Sequence, residues 1–222
     1  MRPNGTSRDG NAVKLLIIGA TGGTGKEIVK QALAQGHHVT AFVRNPAKFS
    51  LSHDSLDIAQ GDVLDYSSVE SAVRGKDAVL SALGHKKWII PSRILSEGTN
   101  NILHAMEQHK VKRFVCETSL GVADSWWKLG LYYTLFVIPV IVFFYFRDKA
   151  RQERLIRQSN LDWIIVRPGK LTNGTKRGSY QHGFDVGNAV WTVSISRADV
   201  ADFMLRQLTE DTYLRKSPGV AY

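Results

Sequence analysis

Residues 17–27 read IIGATGGTGKE, a glycine-rich stretch at the end of an apolar run, and loops of this kind hold phosphate groups. Two chemistries compete for it. A nucleoside-triphosphate P-loop needs a glycine, four residues of any type, then Gly-Lys-Ser/Thr. Counting back from Gly25 places Ala20 where the first glycine should stand, and Glu27 follows Lys26 in place of the magnesium-binding hydroxyl. The P-loop is excluded. The spacing Gly19-x-x-Gly22-x-x-Gly25 fits the first turn of a dinucleotide-binding βαβ unit instead. There the first glycine allows a tight bend, the second lets the backbone approach a pyrophosphate, and the third permits close helix–strand packing. Backbone N–H groups at the helix start then face the anion.

The end of the next strand carries the second chemical signal. An acidic residue about 20 positions past the loop would bind the ribose 2′-hydroxyl of NAD. The residue there is Arg44, followed by Asn45, Pro46 and Lys48. A guanidinium can pair with a 2′-phosphate through parallel charged hydrogen bonds, so NADP(H) is expected over NAD(H).

Both signals need a scaffold, and the chain supplies one. Apolar runs predict strands over 13–19, 38–44, 56–62, 78–83, 113–119 and 163–167. Helical periodicity predicts helices over 26–35, 66–74, 92–109 and 149–159, and a last one starting at Ser196, where Ser196 and Asp199 have capping-box spacing. Strands alternating with helices imply an α/β fold of Rossmann type, a doubly wound parallel sheet with helices on both faces. No internal repeat interrupts the pattern, so 13–222 is read as a single domain after a flexible polar tail at 1–12.

Composition narrows the classes further. The formal charge of +9 favours anionic ligands such as nucleotide phosphates, nucleic acid or anionic lipid. No basic stripe with interleaved aromatics is present, so nucleic acid is not expected. Cys116 is the single cysteine, which excludes a disulfide framework and a cysteine zinc site. The seven histidines lack ligand-like spacing, and no metal is expected. The N-terminal stretch lacks the apolar core of a secretory signal, so a cytoplasmic location is expected, with peripheral membrane contact as an option.

With these motifs in place the chain resembles the atypical short-chain dehydrogenases/reductases, above all the NmrA-like group that includes biliverdin-IXβ and flavin reductases. The resemblance covers about residues 13–210 and rests on IIGATGGTG, FVRNPAK, QGDVLD, SEGTNNILHAM, LDWIIVRPGKL and SRADVADFML. It implies that Gly19, Thr21, Gly22, Gly23, Thr24 and Gly25 line the pyrophosphate and that Arg44 meets the 2′-phosphate. Asp62 and Val63 would sit at the adenine, Leu83 and Gly84 along the ribose and nicotinamide, and Pro168 and Gly169 beside the nicotinamide amide. Thr118 and Ser119 fall in the family's catalytic serine region.

The family's Tyr-x-x-x-Lys pair is matched by Tyr145 and Lys149. Four residues apart on a helix, the two share a face, and the lysine cation would support a tyrosine acting as general acid while also touching cofactor. The pattern departs from the group in one respect: Ser119 and Tyr145 stand 26 positions apart, about twice the usual spacing. In the biliverdin/flavin reductase branch a tyrosine acid is not central.

One stretch fits none of this. Residues 129–146, LGLYYTLFVIPVIVFFYF, carry no charge over 18 positions, near the lower limit of a membrane span at about 17–25 residues. A crossing here would split the sheet between two compartments, and Pro139 interrupts a helix. The insertion at 126–146 is therefore read as a lid over the substrate site, an oligomer interface, or a membrane-surface anchor flanked by Trp126, Trp127, Lys128, Arg147 and Arg151. Lid or interface is the favoured pair, with a bulky, apolar or aromatic acceptor.

The expected function is an NADPH-dependent reductase acting on a flavin, quinone, tetrapyrrole or carbonyl. The alternative is a non-catalytic NADP(H)-binding regulator or assembly factor of the NmrA-like type. Little chain follows VRPG, which argues against a sugar-nucleotide epimerase.

Overall fold

The residues Leu15, Leu16, Ile17 and Ile18 are all fully buried, and their strand, β1 (Lys14–Ile18), sits in the middle of the sheet. The computed structural model describes residues 12–85, 90–125, 127–128, 130–132, 135–137 and 143–222. All of the predicted tail at 1–12 except Ala12 lies outside the described residues, as do Trp126, Leu129 and Pro139.

The chain runs β1, α1 (Gly23–Ala34), β2 (His38–Val43), β3 (Leu56–Gln60), α2 (Tyr66–Val73), β4 (Ala78–Ser81), α3 (Ile94–Gln108) and β5 (Arg113–Glu117). It continues through α4 (Phe143–Gln158), β6 (Asp162–Pro168), β7 (Lys170–Thr172), β8 (Gln181–Gly183), β9 (Ser194–Ser196), α5 (Arg197–Arg206) and β10 (Gly219–Ala221). An eight-stranded sheet has the order β3-β2-β1-β4-β5-β6-β10-β8, and β7 pairs with β9 separately. All pairings in the large sheet are parallel except β10 with β8.

Alternation along β1 explains its unbroken apolar character. Leu15 and Ile17 face one layer, with Ile28, Val29 and Ala32 of α1 and Val200, Phe203 and Met204 of α5. Leu16 and Ile18 face the other, with Val69 of α2, Ile102 and Met106 of α3 and Ile156 of α4. A strand covered on both faces needs apolar residues at every position. Burying each such side chain stabilises the fold by about 1.5–3 kcal/mol.

Strand order reverses at β1, which has β2 on one side and β4 on the other. The loops leaving β1 and β4 therefore part in opposite directions and open a crevice at the carboxyl edge, where ligands of open α/β sheets bind.

Two sequence expectations need correction. The helix expected over 149–159 starts six residues earlier, at Phe143, because its first turn is hidden in the run VIVFFYF. The C-terminal strands β8 and β10, three residues each, extend the sheet beyond β6 and were too short to show a period. The predicted cap is present: the Ser196 hydroxyl accepts from the Asp199 N–H at 3.0 Å.

Candidate active site

Gly19 leaves β1 with φ +79°, and a methyl group placed on it would lie 2.4 Å from the Ala82 carbonyl oxygen after β4. Only glycine fits this bend. Gly25 is equally constrained, because a side chain there would meet the Gly19 oxygen at 2.1 Å. Together they press the loop flat against the first turn of α1. The turn closes with the Gly22 N–H donating to the Gly19 oxygen at 2.9 Å.

The start of α1 is open. Gly22, its N-cap, offers no side-chain hydrogen bond, and no acidic residue lies in the first turn. Three other helix starts are satisfied: Asp65 caps α2, Ser196 caps α5, and Asp148 accepts from the Leu95 and Ser96 N–H groups of α3 at 2.9 and 3.3 Å. With the Gly22 N–H spent on the Gly19 oxygen, the amides that follow it at the helix start are left for an anion, and a diphosphate fits them.

Arg197 overlies this cradle. Its Cδ would lie 2.5 Å from a methyl group placed on Gly23, and its Nη1 donates to Asn173 Oδ1 at 2.6 Å. A guanidinium at the open helix start adds a cation to the anion site. Thr21 is exposed beside it, whereas Thr24 is buried and its hydroxyl donates to Glu117 Oε1 at 3.1 Å. Thr24 could therefore meet a phosphate with its backbone only.

Along the crevice, Arg44 is exposed at the end of β2 and forms no ion pair among the described residues. The Asp62 carboxylate accepts from the Leu64 N–H at 3.0 Å, a local turn that fixes the loop after β3. Val63 is buried against Gly98 of α3, and its carbonyl accepts from Asn101 Nδ2 at 2.9 Å. Leu83 reaches the same glycine. Gly84 is exposed, and a methyl group on it would stand 3.5 Å from the Tyr145 hydroxyl. Pro168 ends β6, Gly169 follows it, and both are buried, with the Pro168 carbonyl accepting from the Leu120 N–H at 2.9 Å.

Tyr145 and Lys149 come together on α4. Lys149 is buried, donates to the Thr118 carbonyl at 3.0 Å, and lies 5.2 Å from the Tyr145 ring centroid. Burial works against its cation, but the Tyr145 oxygen, Glu117 and Cys116 outweigh it and hold the ammonium above the usual lysine range. His85 packs edge-on against Tyr145, ring centroids 5.0 Å apart. Ser119 is half-buried beside them, but its hydroxyl donates to the Leu120 carbonyl at 2.8 Å.

Sequence reading missed the groups that hold this helix in place. Asp148, next to Lys149, caps α3 across more than fifty residues of chain and so fixes the second turn of α4. One turn on, buried Glu153 accepts from the Thr118 hydroxyl at 2.8 Å and from Arg167 Nε at 3.0 Å, tying α4 to β5 and β6. Glu117 was missed as well. Its burial pushes the carboxyl above the ordinary carboxylate range, against the pull of Lys149, Thr24 and Arg197. Cys116 is no nucleophile: burial pushes its thiol up to about 12. Only the Glu-then-Thr-Ser order at the end of β5 hinted at any of these.

The parallel sheet, the glycine cradle at its switch point and the lysine–tyrosine pair on the same edge define a dinucleotide-binding α/β protein. A family model described as NAD(P)H-binding matches residues 19–211, and the chain belongs to that family. An uncharacterised chloroplastic protein of Arabidopsis thaliana is 32% identical over 219 residues, covering 90% of this chain and 75% of its own. Photosystem II assembly factor Ycf39 of Synechocystis is 25% identical over 92% of this chain, which spans 61% of that protein's length. Among solved structures, the anaerobilin reductase ChuY of Escherichia coli O157:H7 superposes with a TM-score of 0.77 at 24% identity, covering 94% of this chain and 96% of its own. A short-chain dehydrogenase/reductase of Veillonella parvula in complex with NADP gives 0.76 at 17% identity, covering 95% and 94%. At these identities the structural likeness establishes the fold.

Proposed function

We propose that this protein is an NADPH-dependent reductase that delivers hydride to a small aromatic or conjugated acceptor: a flavin, quinone, tetrapyrrole or carbonyl compound. The observation that carries the reading is the Tyr145 hydroxyl above Gly84, with the buried Lys149 ammonium behind it, at the open edge of the crevice. Bound dihydronicotinamide would supply the hydride. The chain would do the rest. Gly19, Gly22, Gly23 and Arg197 bind the diphosphate, and Arg44 takes the 2′-phosphate. Tyr145 gives a proton to the reduced acceptor, and Lys149 stabilises the charge left on the phenol oxygen.

Support for a tetrapyrrole or related acceptor comes from the likeness to an anaerobilin reductase. NADP preference is supported by Arg44 and by the NADP complex of a structural neighbour. A cytoplasmic location belongs to the same proposal.

The likeness to Ycf39 favours a second reading, a non-catalytic NADP(H)-binding assembly factor. NADPH oxidation followed with FMN, quinones, biliverdin and aldehydes separates the two. Turnover of any one acceptor is expected. Micromolar NADPH binding with no turnover of any of them makes the assembly factor the better reading.

A further inference from the structure

Large apolar side chains stand in water at one edge of this molecule. Trp191 is 75% exposed, Tyr132 63% and Phe136 60%, with Leu131, Trp127 and Phe144 also exposed. Trp127, Leu131, Tyr132, Phe136 and Phe144 lie between β5 and β6, from the carboxyl end of β5 to the first turn of α4, and Trp191 lies between β8 and β9. Contacts join the connections: the Leu131 N–H donates to the Val190 carbonyl at 3.3 Å, and Gly130 packs on the backbone of Trp191 and Thr192.

Arginines border this apolar group. Arg93, Arg147 and Arg151 line one cleft with Phe144, Pro91 and Ser92, and no carboxylate shares its lining. Arg93 has Glu97 at 3.8 Å, while Arg147 and Arg151 form no ion pair among the described residues. Lys128 stands 5.3 Å over the Trp127 ring.

From this juxtaposition we infer that the carboxyl edge of the sheet docks on an anionic lipid bilayer, with Phe136, Tyr132 and Trp191 entering the interface and Arg147 and Arg151 on lipid phosphates. A single exposed Leu or Phe would need no explanation, but several large apolar side chains exposed on joined connections do. Aromatic rings at headgroup depth with arginines beside them are the composition of an interfacial anchor. The net charge of +9 adds long-range attraction to such a surface. A second copy of the chain fits less well, because a two-fold interface would bring two arginine clefts into one contact with no carboxylate in either lining. Among the described residues no helix is long and apolar enough to cross a membrane, so the contact is peripheral. The docking does not depend on which acceptor the site reduces, or on whether it reduces one.

The test is co-sedimentation of the full chain with vesicles of phosphatidylcholine alone or mixed with phosphatidylglycerol, at low and high salt. Binding to the anionic vesicles only, weakened by salt, is expected. The double variant R147Q/R151Q should bind about 25-fold more weakly, at about fivefold per basic side chain. The variant F136S/W191S should lose binding altogether. NADPH affinity, measured separately by fluorescence, should stay unchanged in both, which shows that they fold. Equal binding to both vesicle types, or unaltered binding by either variant, overturns the inference. So does a wild-type chain that ignores vesicles but self-associates through a contact abolished by F136S/W191S, which would make the patch an interface between copies.

Discussion

Lys149 donates to the Thr118 carbonyl at 3.0 Å while lying 5.2 Å from the Tyr145 ring centroid, so one buried cation joins the end of β5 to the phenol on α4. The lysine therefore occupies the position from which it can stabilise negative charge on that phenol. Tyr145→Phe keeps the ring contact with His85 and removes only the proton donor. Carbonyl reduction should fall by about 10²–10⁴-fold in kcat, the usual worth of a general acid. NADPH affinity should be unchanged in a fluorescence titration, and flavin reduction should survive. An unaltered kcat with carbonyl acceptors removes Tyr145 from the chemistry.

In the proposed complex Arg44 and Arg197 would divide the cofactor between them. Arg44→Ala should weaken NADPH by about 10–100-fold and leave NADH almost untouched, because hydrogen bonds to a charged group are worth about 1.5–3 kcal/mol. Arg197→Met should weaken both cofactors alike, since both share the diphosphate. Isothermal titration with each cofactor distinguishes these patterns. Equal wild-type affinities for NADPH and NADH rule out the 2′-phosphate role of Arg44.

Asp199 links the cap of α5 to the loop before β8. Burial raises its pKa, but hydrogen bonds from Tyr222, Gly178, Ser196 and Arg177 prevail and hold the carboxyl below the ordinary aspartate range. A carboxyl depressed in the fold contributes stability above the unfolded value, about 3.8–3.9, and loses it as pH falls through the folded value. Asp199→Asn should cost about 1–3 kcal/mol at pH 7 in urea unfolding. The gap from wild type should narrow below about pH 4. A gap independent of pH would mean that the loss is one of packing.

Much of this was written locally. The unbroken apolar run 15–18 announces a strand covered on both faces, and the spacing of Gly19, Gly22 and Gly25 announces the turn because Gly22 and Gly25 both answer the Gly19 oxygen a few residues away. Arg44 was legible for the same reason, as a strand end at a set distance from the loop. The groups that hold the site were not legible, since their partners lie far along the chain. Thr24 meets Glu117 across 93 positions, and Asp148 caps α3 across 52 and 53. Arg197 reaches Gly23 only because α5 packs against α1. The early start of α4 stayed hidden because an all-apolar run has no period to read.

The bare start of α1 has a thermodynamic side. Where α2, α3 and α5 satisfy their first amides with their own side chains or a neighbour's, α1 leaves its amides to solvent. Whatever anion binds there completes the helix, so occupancy and folding are linked. At about a hundredfold excess of ligand over its Kd the linkage is worth about 2.7 kcal/mol, a large share of the stability of an ordinary domain. The persistence of the folded chain would then follow the supply of its nucleotide.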